Sequence, residues 1–136
     1  MEESSVDILT EWDIVAARQL GRKEAKAIGF GAVDQARITT AISELARNIY
    51  LYAEQGKVEV SRIIGQFSKG ICIIASDSGP GIADIQQVMQ DGFSTSHGLG
   101  AGLPGVKRLM DEFKIETELK KGTTITIKKW LRLEND

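Results

Sequence analysis

Half of the glycines in this chain lie in one stretch, from Asp77 to Gly105, which constrains the fold more than any other segment. The stretch also holds both prolines and the only histidine, His97. Because glycine is costly to order, sequences concentrate it where the backbone adopts unusual dihedral angles or comes close to a ligand. The sequence therefore indicates either two glycine-rich surface turns or a pocket for a phosphorylated ligand.

Length and composition predict one globular domain over all 136 residues, with 42% hydrophobic and 26% charged side chains. The net charge of −2 gives no electrostatic reason to expect nucleic acid or an anionic membrane as a partner. The apolar runs are too short to span a bilayer, and the amino terminus lacks the basic and apolar regions of a signal peptide. We therefore expect a cytoplasmic protein.

Hydrophobic spacing predicts three main helices and about five strands. The helices are expected at 11–29, 34–53 and 103–113, with a short one at 84–90, and the strands at 6–9, 57–65, 70–77, 114–119 and 123–131. Thr10 is the expected cap of the first helix, with Asp13 as its capping-box partner. Because hairpins dominate, we predict an α+β fold of the two-layer α/β sandwich type, with an antiparallel or mixed sheet and the helices on one face.

Two polar residues of the second helix are candidates for chemistry. Glu44 and Asn48 are four residues apart, so they point to nearly the same side of the helix. They flank the apolar stripe, which places a carboxylate and an amide at the edge of the core. A solvated helix edge is the ordinary interpretation, and the border of a cleft is the functional one.

The glycine motifs are weak signals when each is taken alone. Gly100 to Gly105 match Gly-x-Gly-x-x-Gly, but no hydrophobic strand precedes them, as a dinucleotide-binding fingerprint requires. Glycines ahead of a helix can still leave backbone N–H groups free for phosphate. Asp77, at a strand end before Ser-Gly-Pro-Gly, also suits an ordinary turn. A lone loop histidine such as His97 is more often without function than a metal ligand or phospho-acceptor.

Taken in order, the motifs resemble the GHKL family of ATP-binding proteins, which includes gyrase, Hsp90, histidine kinases and MutL. They are Glu-x-x-x-Asn on a helix, Asp-x-Gly-x-Gly after a strand, Gly-x-Gly before a helix and Gly-Thr before the last strand. The segments 10–22, 34–50 and 91–96 resemble the serine/threonine switch kinases of the bacterial stressosome, and the resemblance covers nearly the whole chain. It departs at His97, where a glycine would be expected before Gly98.

The resemblance implies a site for ATP with Mg²⁺. Asp77 would accept a hydrogen bond from the adenine amino group, which selects adenine because guanine presents an acceptor oxygen there. The other implied nucleotide-binding residues are Gly79, Gly81 and Thr123 at the base, and Gly98, Gly100, Gly102 and Leu103 at the phosphates.

The implied catalytic groups lie on the second helix. Asn48 would hold Mg²⁺ through its side-chain oxygen, since Mg²⁺ takes most of its other ligands from phosphates and water. Glu44 would be the general base for a serine or threonine hydroxyl. Arg47 would contact either the γ-phosphate or the incoming protein.

The function implied is an ATP- and Mg²⁺-dependent serine/threonine kinase. Its substrates would be STAS-domain scaffold and antagonist proteins of a stressosome, and after release it would bind and activate a PP2C-type phosphatase. An anti-sigma factor kinase shares the fold and the chemistry and remains an alternative. A binding module that uses nucleotide as a conformational ligand is another.

Overall fold

The computed structural model describes residues 3–53, 55–89 and 102–132. In chain order, the strands and helices are β1 Glu3–Ile8, α1 Glu11–Ile28, α2 Ala32–Asn48, β2 Gly56–Ile64, β3 Ser68–Asp77, α3 Ile85–Val88, α4 Gly102–Leu109, β4 Glu112–Glu118 and β5 Gly122–Arg132. A π-helical segment, Ile49–Ala53, continues α2.

The strands form a five-stranded sheet in the order β1-β2-β3-β5-β4. The predicted α+β architecture is confirmed, and each pairing within this sheet is antiparallel, so the sheet is antiparallel rather than mixed. The hairpins β2–β3 and β4–β5 account for two of the pairings directly. The β3–β5 pairing joins these hairpins through the two longest strands that the structure describes.

The core lies between one face of the sheet and the helices. Alternate residues of the strands point to this face because side chains along a strand alternate in direction. They pack with the apolar faces of α1, α2 and α4 into one buried cluster. Its largest fully buried members are Ile8, Ile38, Ile42, Leu45, Val58, Val60, Ile71, Ile73, Val106 and Ile127.

The start of α1 is held as the sequence predicts. The Asp13 carboxylate accepts the backbone N–H groups of Leu9 and Thr10, at 2.9 and 2.8 Å. These hydrogen bonds hold the pKa of Asp13 below its ordinary value. Their contribution to stability is therefore present above the ordinary carboxyl pKa and is lost as the pH falls through the lowered one.

The second helix departs from the prediction at its end. An uninterrupted helix was expected through residue 53, but regular α-helix ends at Asn48 and the chain continues as a π-helical segment. A π-helix has an i→i+5 hydrogen-bond pattern, so it shifts the phase of the side chains that follow. As a result, Ile49 is buried like the stripe before it, whereas Tyr52 is half exposed.

The last helix is shorter than predicted. It ends at Leu109, where the ammonium of Lys129 donates to the Leu109 carbonyl oxygen at 2.9 Å. Lys129 is buried, and its Nζ also lies 3.9 Å from carboxylate oxygens of Asp34 and Asp111. A cation at a helix carboxyl end satisfies a carbonyl and favours the helix dipole. Phe113, predicted in this helix, therefore belongs to β4.

The helices within residues 3–53, 55–89 and 102–132 are too short or too polar to cross a membrane.

The turn between β4 and β5 yields a stability prediction. Gly122 has φ of 129°, and a Cβ there would overlap the carbonyl oxygen of Asp77. We expect Gly122→Ser to lower the free energy of unfolding by about 2 kcal/mol or more, through backbone strain and the overlap. Urea denaturation measures this loss.

Gly31→Ser is the matched control for this substitution. Gly31 precedes α2 with φ of −76°, and a Cβ there meets no atom within 4 Å. Serine is also a preferred residue at a helix amino terminus. We expect no loss of stability in this variant, and equal losses in the two variants would contradict the account of the β4–β5 turn.

Candidate functional site

Three polar residues lie in one row across the sheet at the end where β3 finishes. Asp77, the last residue of β3, pairs with Thr123 of β5, and Thr123 pairs with Thr117 of β4. Residues directly opposite in an antiparallel pair place their side chains on the same face, close enough to interact. The register therefore brings a carboxylate and two hydroxyl groups together at the edge of the core.

A cavity of about 320 Å³ opens between this row and the helices. It is lined by Leu45, Asn48, Ile49, Tyr52, Ala53, Ala75, Asp77, Pro80, Gly81, Ile82, Val88, Leu103, Thr123 and Ile125. Mostly apolar walls with a few convergent polar groups are typical of sites for small organic ligands. The volume and the walls suit a planar base.

Asp77 is held by the loop that follows it. Its Oδ1 accepts the backbone N–H of Gly79 at 2.9 Å, and a carboxylate has further lone pairs available for a ligand. On the other side, Gly56 pairs with Asp77, and a Cβ on Gly56 would lie 2.9 Å from the Asp77 Cβ. Glycine at position 56 therefore makes room for this carboxylate.

The loop of residues 78–84 is fixed to the turn between β4 and β5. The N–H of Lys120 donates to the Pro80 carbonyl at 2.8 Å, and the N–H of Ile82 donates to the Thr117 hydroxyl at 2.9 Å. Gly81, with φ of 81°, passes so close to the Glu118 backbone that a Cβ would lie 2.9 Å from its carbonyl carbon. These contacts hold the loop as one wall of the cavity.

The predicted glycines thus have a role that the sequence does not reveal. A Cβ on Gly79 would lie 2.7 Å from the Cβ of Ala53, in the π-helical segment. Gly79 lets the loop approach that segment, and Gly81 lets it approach β4. Of the two, Gly81 also lines the cavity.

Thr123 lines the cavity and is buried. Its Oγ1 lies 2.9 Å from that of Thr117, which is also 3.2 Å from the Gly122 carbonyl oxygen. Thr117 was not among the residues predicted from sequence. Counting outward from a turn at Lys120 and Lys121 pairs Thr117 with Thr124, whereas the observed loop has three residues, 119–121, and brings Thr117 opposite Thr123. The sequence alone therefore did not identify this pair.

Helix α2 places the predicted catalytic residues at different depths. Asn48, the last α-helical residue, lines the cavity. Glu44 lies one turn earlier and is buried, with 3% of its surface exposed, and Arg47 is half-buried. Neither Glu44 nor Arg47 is among the described residues that line the cavity.

The opposite wall includes the start of α4. Gly102 opens this helix with φ of 70°, and both Gly102 and Leu103 are buried. Leu103 lines the cavity. The predicted phosphate-binding residues Gly98 and Gly100, and the loop residue His97, lie outside the described residues.

No group of three histidine, cysteine, aspartate or glutamate side chains in the described ranges is arranged to hold a metal ion. A metal at this site would take its remaining ligands from a bound molecule. Asn48, as a single amide ligand on the cavity wall, fits a hard cation that is bound together with phosphate.

Comparison with known proteins shows the family of this chain. Residues 33–134 match the model of the histidine kinase-, DNA gyrase B- and HSP90-like ATPases. The serine/threonine-protein kinase RsbT of Bacillus subtilis is 66% identical over 131 residues, which are 96% of this chain and 98% of that protein. The anti-sigma F factor of Clostridium novyi is 34% identical over 102 residues, 70% of each chain.

Solved structures share the fold at lower identity. The RsbU and RsbW domains of Rv1364c from Mycobacterium tuberculosis align with a TM-score of 0.67 and 20% identity, over 95% of this chain and 32% of that one. This chain thus spans about a third of that structure. The mycobacterial sensor histidine kinase MprB aligns with a TM-score of 0.55 and 17% identity, over 96% of this chain and 99% of that one.

Proposed function

Because the chain belongs to the histidine kinase-, DNA gyrase B- and HSP90-like ATPases and is a serine/threonine-protein kinase, we propose that it phosphorylates STAS-domain proteins of a bacterial stressosome. It uses ATP, and we propose Mg²⁺ as the metal. After phosphorylation the kinase leaves its substrate and binds and activates a PP2C-type phosphatase. We also propose that residues 1–136 act as one cytoplasmic domain.

One observation carries this proposal: Asp77, Thr123, Asn48 and Leu103 line the same cavity. Asp77 and Thr123 form its adenine end, where the Asp77 carboxylate accepts a hydrogen bond from the amino group of the base. The apolar walls, including Ile49 and Ile125, enclose the ring faces. Burial of the apolar ring surface then contributes to the binding free energy in addition to the hydrogen bond.

The phosphate end lies toward the start of α4 and the end of α2. The helix α4 begins at Gly102, and its first backbone N–H groups have no partner within the helix. Such groups, together with the helix dipole, favour phosphate. We assign Gly98, Gly100, Gly102 and Leu103 to the triphosphate, and Asn48 to the metal bound with it.

Glu44 is our candidate for the general base, with Arg47 as an electrostatic partner. Glu44 lies one helical turn before Asn48 and thus on nearly the same side of α2. Its carboxylate would accept the proton of the substrate hydroxyl as the oxygen attacks the γ-phosphate. Arg47, in the last turn of α2, would stabilise the charge on the transferred group.

The surface beside the cavity supports a protein as the phosphate acceptor. Large apolar side chains are exposed on the π-helical segment, which contributes to the cavity wall: Tyr50, Leu51 and Tyr52. Leu9, after β1, and Trp12, in the first turn of α1, are exposed as well. Aromatic residues are enriched at protein interfaces. A docked phosphoprotein would then leave because the phosphate adds about two negative charges to the contact.

The similarity to anti-sigma F factors favours a second candidate function. They are 31–36% identical to this chain over about 70% of its length. An anti-sigma factor kinase would use the same nucleotide site and a different partner. Incubation with labelled ATP and candidate STAS proteins tests for phosphotransfer, and a pull-down against sigma factor and PP2C-type phosphatase separates the two functions.

Asp77→Asn tests the adenine end of the cavity. The amide cannot accept with the strength of a carboxylate, and its NH₂ group would face the adenine NH₂ group. We expect ATP affinity, measured by calorimetry, to fall by about 30-fold or more. Asp7→Asn, on an exposed β1 residue, is the control, and unchanged affinity in Asp77→Asn would refute the adenine assignment.

Asn48→Ala tests the metal assignment. We expect a drop of about tenfold in ATP affinity with Mg²⁺ present and little change in EDTA, because the substitution removes one metal ligand. Calorimetry in both conditions gives the comparison. Equal losses with and without the metal would show that Asn48 acts on the fold of α2 rather than on the metal.

Glu44→Gln tests the general base. The amide keeps the size and hydrogen-bonding capacity of the side chain but cannot take a proton. We expect unchanged ATP binding and a fall of about 10²-fold or more in phosphotransfer to a STAS protein. Transfer at the wild-type rate would remove Glu44 from this role.

A further inference from the structure

The buried ammonium of Lys129 lies where α4 ends and α2 begins. Its Nζ donates to the carbonyl oxygen of Leu109, the last residue of α4, at 2.9 Å. It also lies 3.9 Å from carboxylate oxygens of Asp34, in the first turn of α2, and of Asp111, just after α4. One side chain of β5 thus contacts the carboxyl end of one helix and the amino end of another.

Stability alone does not account for a lysine at this position. The side chain is only 10% exposed, and removing an ammonium from water costs free energy, so buried ion pairs can often be replaced by apolar residues without loss of stability. Both carboxylates keep a partner without Lys129. The Asp34 Oδ1 lies 2.8 Å from the Arg37 Nη1, and the Asp111 Oδ2 accepts the N–H of Trp130 at 2.7 Å. A methionine of similar length would therefore leave no buried charge unpaired.

Helices α4 and α2 lie side by side in opposite directions. At the start of α4, Leu103 shares the walls of the cavity with Leu45 and Asn48, near the end of α2. At the other end of α4, Leu109 lines a groove together with the first half of α2, at Ala32, Val33, Ala36, Arg37 and Thr40. The ends that we assign to the triphosphate and to the metal are therefore neighbours, and their relative position depends on how α4 lies along α2.

The groove leaves the contact between these helices open at the Lys129 end. Leu103 and Val106 are buried, whereas Leu109 is only partly buried and Val33, across the groove, is 65% exposed. Apolar contacts do not depend on direction, whereas a hydrogen bond constrains both a distance and an angle. At the open end, Lys129 therefore supplies a contact that fixes the position of α4 along α2.

We propose that Lys129 is a positioning residue for the phosphate end of the ATP site. It holds the last carbonyl of α4 against the first turn of α2, and so keeps the first N–H groups of α4 at a fixed distance from Asn48. The helix α4 has eight residues and moves as one body, so a shift at Leu109 reaches Gly102. This inference rests on the proposed roles of α4 and Asn48 in binding the triphosphate and the metal.

The adenine end of the cavity does not depend on this contact. Asp77 and Thr123 belong to two directly paired strands, and the Asp77 carboxylate is held by the N–H of Gly79. A shift of α4 thus weakens the binding of the triphosphate and leaves that of adenosine nearly unchanged. A general loss of stability lowers both affinities by the same factor, because only the folded fraction binds. The ratio of the two affinities separates these effects.

Calorimetry with Mg²⁺ measures the affinities of the wild type and Lys129→Met for ATP and for adenosine. We expect the wild type to prefer ATP by about tenfold or more, because hydrogen bonds to charged groups are strong. In Lys129→Met, the preference falls by about fivefold or more, the worth of one hydrogen bond. The midpoint of urea unfolding stays near that of the wild type, because water replaces the ammonium at the partly exposed Leu109 carbonyl.

Arg62→Met is the matched control. The Arg62 Nε lies 2.8 Å from a carboxylate oxygen of Glu24, in an ion pair that joins β2 to α1 and does not involve α4. This substitution also removes a paired cation, and it leaves behind a carboxylate that is only 14% exposed. We expect Arg62→Met to lose stability and to keep the wild-type preference for ATP.

Three results would overturn the inference. They are a preference in Lys129→Met equal to that of the wild type, an equal fall in Arg62→Met, and a Lys129→Met protein that does not fold, which would make the lysine a requirement of the fold. Failure of the proposed function is a separate outcome. A wild type that binds neither ligand would refute the ATP site, and one that binds ATP no better than adenosine would refute its phosphate end. Absence of phosphotransfer to STAS proteins, with the expected affinities intact, would refute only the proposed substrates.

Discussion

The register between β3 and β5 is the constraint on which the rest of the site depends. It places Asp77 opposite Thr123, on the face of the sheet that packs against the helices. A slip of one residue would turn both side chains to the other face, because the period of a strand is two residues. The apolar residues on the same face, such as Ile73, Ala75 and Ile127, would be exposed by the same slip. The core therefore holds the row of Asp77 and Thr123 in place. The register that is favoured because it buries the apolar side chains is also the register that positions the site.

Glycines secure this register at the crowded end of the sheet. The backbone of Gly122 lies against the carbonyl of Asp77, and Gly56 lies against its side chain. On the far side, Gly79 and Gly81 let the next loop pass between the π-helical segment and β4. The resemblance to the family implies that glycine is needed at these two loop positions because a ligand comes close to the backbone. The structure shows that close approach of the protein to itself is also a reason for them.

Sequence predicted the parts of the fold that depend on local pattern. The amphipathic stripe of α2, the capping of α1 by Asp13 and the two hairpins each follow from spacing or from short-range hydrogen bonding. The ends of α2 and α4 could not be predicted in this way. The first depends on the π-helical segment after Asn48, and the second on Lys129, which is 20 residues away from the carbonyl it binds. Such contacts are tertiary, and hydrophobic periodicity carries no information about them.

For the candidate site, the ordered motifs predicted that Asp77, Asn48, Leu103 and Thr123 belong together, and the cavity brings them together. The depth of Glu44 and the second hydroxyl at Thr117 depend on packing and on strand register, so motif order alone could not locate them.

The cavity has walls of two kinds. The sheet side consists of β3 and β5, each paired over ten residues, whereas the other side includes α3, a helix of four residues without a buried member. Amide hydrogens in paired, buried strands exchange only in large openings, whereas those of short exposed helices exchange through local ones. The rest of the helical side is formed by buried residues of the core, such as Leu45, Ile49 and Leu103. A ligand in this cavity would thus have a locally opening segment only at α3, and opening there would cost a small part of the global free energy of unfolding.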